Sequence, residues 1–310
     1  MTDSWTTMKA AVFSSFGPPE VLRTVAVARP DAGPGEVRVR VKAAGVQPAD
    51  LSVRMGWTPP GAEVRLPQIP GNEFSGIVDQ VGAGVADWTE GDEVLGYRLL
   101  NCYAEYVVVP AEQVVAKPDG MPWEEAGSLS ASGQTAHTAL RELKVGVGDT
   151  LLVHGAAGGV GTIAVQLARA WGATVIGTAS ERNHDYLRSL GAIPIAYGDG
   201  LVDRIRALAP QGVDAALDAA GEEALRASAE LIGDKSRIGT IVSFELGAAL
   251  GVRVIRSQRS AARLAELVEL YRQGSLSLHV RRTFQLEQAA DAHREIERGH
   301  GRGKVVLRID

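Results

Sequence analysis

Residues 151–168 read LLVHGAAGGVGTIAVQLA and decide the fold of the second half of the chain. An apolar run typical of a strand leads into a glycine-rich turn, and the pattern after the turn is that of a helix. A side chain at Gly158 or Gly159 would obstruct the approach of a pyrophosphate to the backbone, whereas Gly161 lets the helix lie close to the strand. The helix N-terminus offers N–H groups and a partial positive charge to an anion. The segment therefore predicts a dinucleotide-binding turn.

The residues after this helix bear on which dinucleotide binds. A second strand ends near Thr178 and completes a βαβ unit of the expected size, which supports dinucleotide binding. The alternative is that the glycine-rich turn serves only as a tight connection between strand and helix. Small neutral residues at the strand end leave room for a 2′-phosphate, and Ser180, Arg182 and Asn183 can donate hydrogen bonds to it. We therefore expect NADPH. Two points oppose this: Glu181 lies at about the distance of a ribose-binding acid from the turn, and Ser180 could instead cap a helix while Arg182 is solvated.

Strand and helix patterns alternate from about residue 121 onward. This alternation predicts a parallel sheet wrapped by helices. The predicted strands cover residues 150–155, 173–178, 212–218 and 237–244, and the helices begin near Thr162, Arg182, Leu201 and Glu222. Residues 8 to about 117 instead form short β-rich runs separated by glycine-containing turns. The expected fold class is α/β, with a Rossmann doubly wound parallel sheet and an additional β-rich domain.

Composition limits the class of protein. The chain has 310 residues, 45% of them hydrophobic, which is enough for two hydrophobic cores. Its net charge of −5 comes without long runs of one sign, so we expect neither nucleic acid nor a membrane as partner. Cys102 is the single cysteine, which excludes an intrachain disulfide and a metal site of several thiolates. Residues 1–7 lack the apolar core of a signal peptide, and we expect a cytoplasmic location.

Several motifs in order resemble the medium-chain dehydrogenase/reductase superfamily, specifically its zinc-independent, quinone oxidoreductase-like branch. The supporting segments are AAGVQPAD at 43–50, PGNEFSGIV at 70–78, GDEV at 91–94, YAEY at 103–106, QTA at 134–136, the glycine turn, and GKVV at 303–306. The resemblance implies a GroES-like catalytic domain that begins with residues 1–120, a Rossmann domain over 121–257, and a return to the catalytic domain over 258–310. It also implies a homodimer.

The zinc-dependent relatives differ from this chain at their metal ligands. They carry a catalytic Cys near Gln47 and a His in the segment that matches residues 71–73, where this chain has Asn72. Glu73 is left without thiolate or imidazole ligands nearby in sequence, and zinc needs three or four ligands. We therefore expect no metal and interpret Glu73 as a structural hydrogen-bonding residue.

The resemblance also implies which residues contact the cofactor. The expected nicotinamide contact is Thr135, and the expected pyrophosphate contacts are Ala157, Gly158, Gly159 and Val160. The adenosine phosphate end is expected at Ser180, Arg182 and Tyr197, with Phe244 and Lys304 as further cofactor candidates. Simple packing in a strand is the alternative for Tyr197.

The substrate side is expected near the start of the chain. Gln47, or a water molecule, would polarise a carbonyl or quinone oxygen, and Asp50, Arg54 and Trp57 would bind the substrate. Many relatives have Tyr where Trp57 stands; an indole cannot give up a proton as a phenol might, so no proton donor is identified. Asp50 and Arg54 are four residues apart, and the alternative for them is a surface ion pair on a helix.

These observations favour one function and leave two others open. The leading hypothesis is an NADPH-dependent reductase that transfers a hydride to a quinone or an α,β-unsaturated carbonyl without a metal. The alternatives are an enoyl reductase of acyl or polyketide tailoring, and a non-catalytic NADPH-binding sensor or RNA-binding protein. We interpret Arg253, Arg256 and Arg259 as a solvated face, because the chain is acidic and no aromatic residues are interleaved with them.

Overall fold

The structure is a computed structural model that describes residues 6–310. The chain forms two compact units. The first unit comprises Met1–Ala131, Arg259–Val268 and His279–Asp310, and the second unit comprises Ser132–Gln258 and Glu269–Leu278. Residues 1–5, on which the signal-peptide expectation partly rests, lie outside the described range. The domain boundaries at 120/121 and 257/258 stay predictions.

Two sheets build the first unit within the described residues. A two-stranded antiparallel sheet pairs β1 (Thr7–Phe13) with β2 (Leu22–Ala28). The larger sheet consists of β3 (Glu36–Val46), β4 (Glu73–Val81), β5 (Glu93–Tyr97), β6 (Tyr106–Pro110), β7 (Val114–Ala116), β14 (Val280–Gln285) and β15 (Lys304–Arg308). Its order is β14-β15-β3-β4-β5-β7, with β6 paired to β3. The last strand, β15, therefore joins the sheet beside a strand from the start of the chain.

The alternation along β3 explains where the core of the first unit lies. Val37, Val39 and Val41 are buried at every second position, as expected for a strand that turns one face to the core. Among the described residues, the α-helices α1 (Pro48–Arg54) and α9 (Ala289–Glu297) lie wholly in this unit. Proline at the first position of α1 fits a helix start, because that N–H has no intrahelical partner. The helix α1 thus begins directly after β3 and carries Asp50 and Arg54.

The second unit contains a six-stranded parallel sheet with the order β10-β9-β8-β11-β12-β13. Its strands are β8 (Thr150–His154), β9 (Thr174–Thr178), β10 (Ile193–Ile195), β11 (Ala215–Asp218), β12 (Ile238–Thr240) and β13 (Arg253–Val254). Its helices are α3 (Gly159–Ala170), α4 (His184–Ser189), α5 (Leu201–Leu208), α6 (Glu222–Leu231) and α7 (Phe244–Leu250), while α2 (Trp123–Glu142) and α8 (Ala261–Arg272) have residues in both units. The α/β fold class with a Rossmann parallel sheet is confirmed.

Strand order reverses beside β8, since β9 lies on one side of β8 and β11 on the other. Ligands of such sheets bind outside the carboxyl ends of the strands at this reversal. Two predicted strands were too long: the strand expected over 212–218 begins at Ala215, and the strand expected over 237–244 ends at Thr240, with α7 beginning at Phe244. No helix among residues 6–310 has both the length and the apolar composition that spanning a membrane requires.

Candidate active site

Glu73, the first residue of β4, is the centre of a buried polar cluster in the first unit. Its Oε1 accepts hydrogen bonds from Gln47 Nε2 and from Lys304 Nζ, the latter at 3.1 Å, and its Oε2 accepts from the Ala131 N–H at 2.6 Å. Gly45 provides the space, because a Cβ there would lie 2.0 Å from Glu73 Oε1. The buried carboxylate therefore orients an amide and an ammonium group, which supports its interpretation as a hydrogen-bonding residue.

Asp50 forms a second buried carboxylate in the same unit and is 2% exposed. Its Oδ1 accepts from Asn72 Nδ2 at 2.8 Å, and its Oδ2 accepts from the Gln47 N–H at 2.8 Å and the Tyr103 hydroxyl at 2.9 Å. Burial raises the pKa of Asp50 to about 6, although these three hydrogen bonds favour the charged form. Asp50 therefore changes charge within a pH range that an enzyme meets.

Arg259 contributes to this cluster, which the sequence did not predict. Its Nη1 donates to the Asn72 carbonyl at 2.7 Å and its Nη2 donates to Asn72 Oδ1 at 2.8 Å. The interpretation of Arg259 as part of a solvated face was wrong. The contact joins residues 187 positions apart, and no local pattern signals such a pairing.

The structure corrects the interpretation of Arg54 as part of a surface ion pair, whereas its role in substrate binding stays a prediction. This side chain is 1% exposed; it donates to Gly17 O at 2.9 Å and to Glu297 Oε1 at 2.6 Å, and its Nη1 lies 3.2 Å from His293 Nδ1. It forms no surface ion pair with Asp50, because both side chains are buried and bound elsewhere. Its guanidinium is also used in binding α9, which argues against a substrate contact. Trp57 is 42% exposed and stays a candidate.

The residues of this cluster do not fit zinc. Gln47 and Asn72 offer amides, and the ammonium of Lys304 lies where a cation would meet Glu73. Burial raises the pKa of Cys102 far above its usual range, which disfavours its thiolate in the metal-free site. Within residues 6–310 no group of three or more His, Cys, Asp or Glu side chains is arranged to hold a metal ion.

The glycine turn of the second unit has the geometry of an anion site. A Cβ at Gly161 would lie 2.2 Å from Gly155 O, so the helix approaches the strand as closely as the sequence predicted. Gly158 is the N-cap of α3, and the nearest atom to a Cβ there would be Gly155 O at 3.3 Å. Thr162 N–H donates to Gly158 O, which leaves the amides of the first three helix positions outside the helical ladder. The turn therefore fits a pyrophosphate.

The residues predicted for the adenosine phosphate end, Ser180, Arg182 and Tyr197, follow β9 and are at least partly exposed. Ser180 makes no side-chain cap hydrogen bond; its Oγ accepts from Asn183 Nδ2 at 3.2 Å, so the capping alternative was wrong. Arg182 and Glu181 are both exposed in the turn that follows. Tyr197 is 54% exposed, which argues against simple packing. These side chains are therefore accessible at this end of the unit.

The other predicted cofactor residues are found on separate elements. Ala157 is buried in the turn, Val160 is half-buried in the first turn of α3, and Thr135 is half-buried on α2. Phe244 is 40% exposed at the start of α7, with the Arg256 guanidinium 5.2 Å from its ring centre. Lys304 differs from these residues, since it belongs to the first unit and binds Glu73.

Asp218 is a further residue that sequence reasoning missed. It is fully buried at the end of β11 and accepts hydrogen bonds from Ala220 N and Gly221 N, both at 2.9 Å. Its other oxygen accepts from the hydroxyls of Thr240 at 2.7 Å and Ser243 at 2.9 Å. The carboxylate thereby fixes the loops after β11 and β12 at the edge of the sheet where ligands bind.

Comparison with protein families matches two regions of the chain. Residues 33–119 match the alcohol dehydrogenase GroES-like domain, and residues 190–307 match the family described as zinc-binding dehydrogenase. The predicted GroES-like domain is confirmed. Gln47 and Asn72, which stand where the zinc-dependent relatives carry ligands, lie outside the second match.

Similar proteins include both complete proteins and part of a larger one. The chain is 30% identical over 346 residues to the human synaptic vesicle membrane protein VAT-1 homolog, covering 97% of this chain and 86% of that protein. It is 34% identical over 302 residues to the pikromycin polyketide synthase component PikAII of Streptomyces venezuelae. That match covers 89% of this chain but spans only 8% of the synthase component.

Solved structures resemble the chain over its whole length. The quinone oxidoreductase from Coxiella burnetii has a TM-score of 0.88 and 33% identity, with 98% of this chain and 100% of that chain covered. Mycobacterial Rv1454c complexed with NADPH has a TM-score of 0.86 and 30% identity, with 97% of this chain and 100% of that chain covered.

Proposed function

Because this chain is an oxidoreductase of the medium-chain dehydrogenase/reductase superfamily, in its quinone oxidoreductase-like branch, we propose that it is an NADPH-dependent reductase that works without a metal. The substrate in this proposal is a quinone or an α,β-unsaturated carbonyl. The observation that carries it is the cluster at Glu73, where hydrogen-bond donors occupy the place of a zinc-ligand set. A metal-free site of this kind polarises an oxygen by hydrogen bonds and charge.

NADPH, when bound, supplies the hydride. In this proposal the main-chain amides of residues 157–160 hold the pyrophosphate, and Thr135 contacts the nicotinamide. The side chains of Ser180, Arg182 and Tyr197 bind the adenosine phosphate end, and Phe244 and Lys304 are further cofactor contacts. The absence of a carboxylate in the last positions of β9 supports NADPH over NADH, since a carboxylate there would repel a 2′-phosphate.

Gln47 is the proposed polarising residue. Its Nε2 carries two N–H groups, and Glu73 uses one of them. The other donates, in this proposal, to the substrate oxygen on which negative charge develops as the hydride arrives. Lys304 adds a positive charge on the same carboxylate, which stabilises that developing charge. The enolate or hydroquinone anion then takes a proton from solvent, so no side chain has to act as an acid.

The second candidate is an enoyl reductase of acyl or polyketide tailoring. The similarity to a polyketide synthase component supports it. The chemistry is the same, because hydride addition to the β-carbon of an enoyl thioester also produces an enolate. The difference lies in the acyl carrier that the substrate brings.

A panel of substrates separates the candidates. The consumption of NADPH and of NADH is followed by nicotinamide absorbance with quinones, simple enones and enoyl thioesters. We expect turnover of quinones or enones with NADPH preferred. Equal use of NADPH and NADH would contradict the phosphate-end assignment. Tryptophan quenching by NADPH without oxidation by any substrate would support the non-catalytic alternative.

We also propose that the protein is a cytoplasmic homodimer. The dimer is what the resemblance implies, and the location follows from the composition. Light scattering on the purified protein checks the first statement, with twice the chain mass of 32.7 kDa as the expected result.

A further inference from the structure

Arg259 binds a single residue of the site with both of its terminal nitrogens. We propose that Arg259 is a positioning residue that holds the Asn72 amide in the one orientation that donates to Asp50. The proposal rests on the proposed function only in taking this cluster as the site of reduction. Arg259 is the first residue of the segment that returns to the first unit after Gln258.

The flanking groups allow the amide one orientation. Arg259 has donors only, and the ionised Asp50 has acceptors only. The Asn72 amide lies between them, with Oδ1 at 2.8 Å from Arg259 Nη2 and Nδ2 at 2.8 Å from Asp50 Oδ1. A flipped amide would place N–H against guanidinium and oxygen against carboxylate, so both hydrogen bonds would become repulsive contacts.

The two terminal nitrogens of the Arg259 guanidinium fix the position of the Asn72 side chain as well as the orientation of its amide. Arg259 Nη1 binds the Asn72 main-chain carbonyl at 2.7 Å while Nη2 binds the side chain of the same residue. A lysine carries the charge but cannot reproduce two parallel donors. Arg259 therefore ties the Asn72 side chain to its own main chain.

A chain of hydrogen bonds connects Asn72 to Gln47, the proposed polarising residue. Asp50 receives the Asn72 amide on one oxygen and the Gln47 N–H on the other. The Gln47 side chain in turn binds Glu73. Arg259 thus acts on Gln47 through two intermediate side chains without touching it.

Several charged groups face Asp50, and they determine how its pKa should change when Arg259 is replaced. The carboxylate of Glu73 raises the pKa of Asp50, whereas the hydrogen bonds from Gln47 N, the Tyr103 hydroxyl and Asn72 lower it. The cations of Arg259 and Lys304 interact favourably with the Asp50 carboxylate. Loss of Arg259 removes one cation and frees the Asn72 amide to turn, so both changes disfavour the Asp50 carboxylate.

The test measures the ionisation of Asp50 directly. Carboxyl carbons of the aspartates are labelled with ¹³C, and the Asp50 signal is assigned by its loss in Asp50→Asn. We expect Arg259→Met to raise the Asp50 midpoint by about one pH unit, Arg259→Lys to raise it less, and the exposed control Arg272→Met to leave it unchanged. An unchanged midpoint in folded Arg259→Met overturns the proposal. If Arg259→Met does not fold, Arg259→Lys decides in the same way.

A double-mutant cycle tests whether Arg259 acts through Asn72. We expect the midpoint of Arg259→Lys/Asn72→Ala to equal that of Asn72→Ala alone, because the link is already broken. Additive shifts overturn the proposal. A matching rise in the acid limb of kcat/KM, with activity reduced about fivefold near pH 6 and little above it, is expected in Arg259→Met. The NMR titration needs no turnover, so failure of the proposed function would appear separately as an inactive wild type.

Discussion

Two glycines of one turn have different roles at the scale of single residues. Gly161 has backbone atoms where a Cβ would stand, whereas Gly158 has only Gly155 O at 3.3 Å. The φ of Gly158 is −75°, which any residue adopts. A Cβ at Gly158 therefore requires only a small shift of Gly155 O, whereas a Cβ at Gly161 would overlap backbone atoms.

Replacing Gly158 by Asp tests the phosphate site without disturbing the fold. Aspartate is a favourable N-cap, so we expect the melting temperature to be unchanged or slightly raised. The carboxylate would meet the pyrophosphate, and we expect NADPH affinity, measured by tryptophan quenching, to fall at least about a hundredfold. Gly158→Ala is the uncharged control, with a smaller loss. Unchanged NADPH affinity in Gly158→Asp would contradict the phosphate site.

Replacing Gly161 by Ala is expected to destabilise the fold instead. We expect the free energy of unfolding of Gly161→Ala to fall by about 1–3 kcal/mol.

Asp50 makes stability depend on pH in a direction that can be worked out. Its folded pKa of about 6 lies above the reference value of 3.8, so the native state holds a proton that the unfolded state has lost between these values. We expect the free energy of unfolding of the wild type, relative to Asp50→Asn, to fall by about 3 kcal/mol as pH rises from about 3 to about 7, and to stay level above that. Urea unfolding over this range measures the difference. A difference that rises with pH would contradict the buried-carboxylate account.

The role of a residue was predictable where it depends on neighbours in the sequence, and unpredictable where it depends on partners from other elements. The function of Gly161 follows from its position between a strand and a helix. The burial of Asp50 and Arg54 does not follow from their spacing, since an exposed helical pair has the same spacing. Arg259 and Asp218 were missed because their partners lie on other elements.

At the scale of elements, Arg54 anchors α1 to α9. Its guanidinium binds Glu297 and faces His293, both on α9, and also binds Gly17 O. The Nη1 donor makes His293 Nδ1 an acceptor, and burial lowers the pKa of His293 to about 3, so its ring stays neutral. The short helix that carries Asp50 is therefore held at its C-terminal end by a helix from the end of the chain.

Substitution of Arg54 by Met is expected to destabilise the fold. The change leaves Glu297 without its partner and removes a buried hydrogen-bond donor from Gly17 O, so we expect a loss of about 3 kcal/mol in chemical unfolding. Arg65→Met is the matched control, since Arg65 pairs with Glu63 at the surface and contributes little. We expect the KM of the folded Arg54→Met enzyme to be unchanged. A large rise in KM at normal stability would restore Arg54 as a substrate contact.

The helices and strands of the second unit were largely predictable because the pattern of apolar residues differs between its strands and its helices. The strands β8 and β9 lie where apolar runs predicted them, and α5 and α6 begin at Leu201 and Glu222 as expected. The strand β12 ends where Thr240 Oγ1 accepts hydrogen bonds from the N–H groups of Val242 and Ser243, in a local turn that precedes α7. The hydroxyls of Thr240 and Ser243 also bind Asp218 at the end of β11.

At the scale of the whole molecule, ordered motifs identified the fold more securely than composition did. Composition allowed two cores, and the structure has two compact units. The parallel sheet with its helices followed from the βαβ pattern and the resemblance together, whereas the strand order and its reversal at β8 come from the structure. The polar cluster at Glu73 could not be predicted, because it collects residues from 47 to 304.

Metal content tests the reductase as a whole. The amide and ammonium groups around Glu73 leave no set of three ligands for zinc, so we expect protein purified from zinc-supplemented medium to contain well under one zinc per chain by mass spectrometry. Chelation should change neither the melting temperature nor the rate. One zinc per chain, with activity lost on chelation, would contradict the metal-free site.

The fate of a labelled hydrogen tests the central claim most directly. NADPH carrying deuterium at the transferred position of C4 is incubated with the enzyme and its best enone, and the product is examined by mass spectrometry and NMR. Direct hydride transfer predicts one deuterium at the carbon β to the carbonyl, with the α-hydrogen taken from water. A product without deuterium at the β-carbon, although NADPH is consumed, would contradict the account.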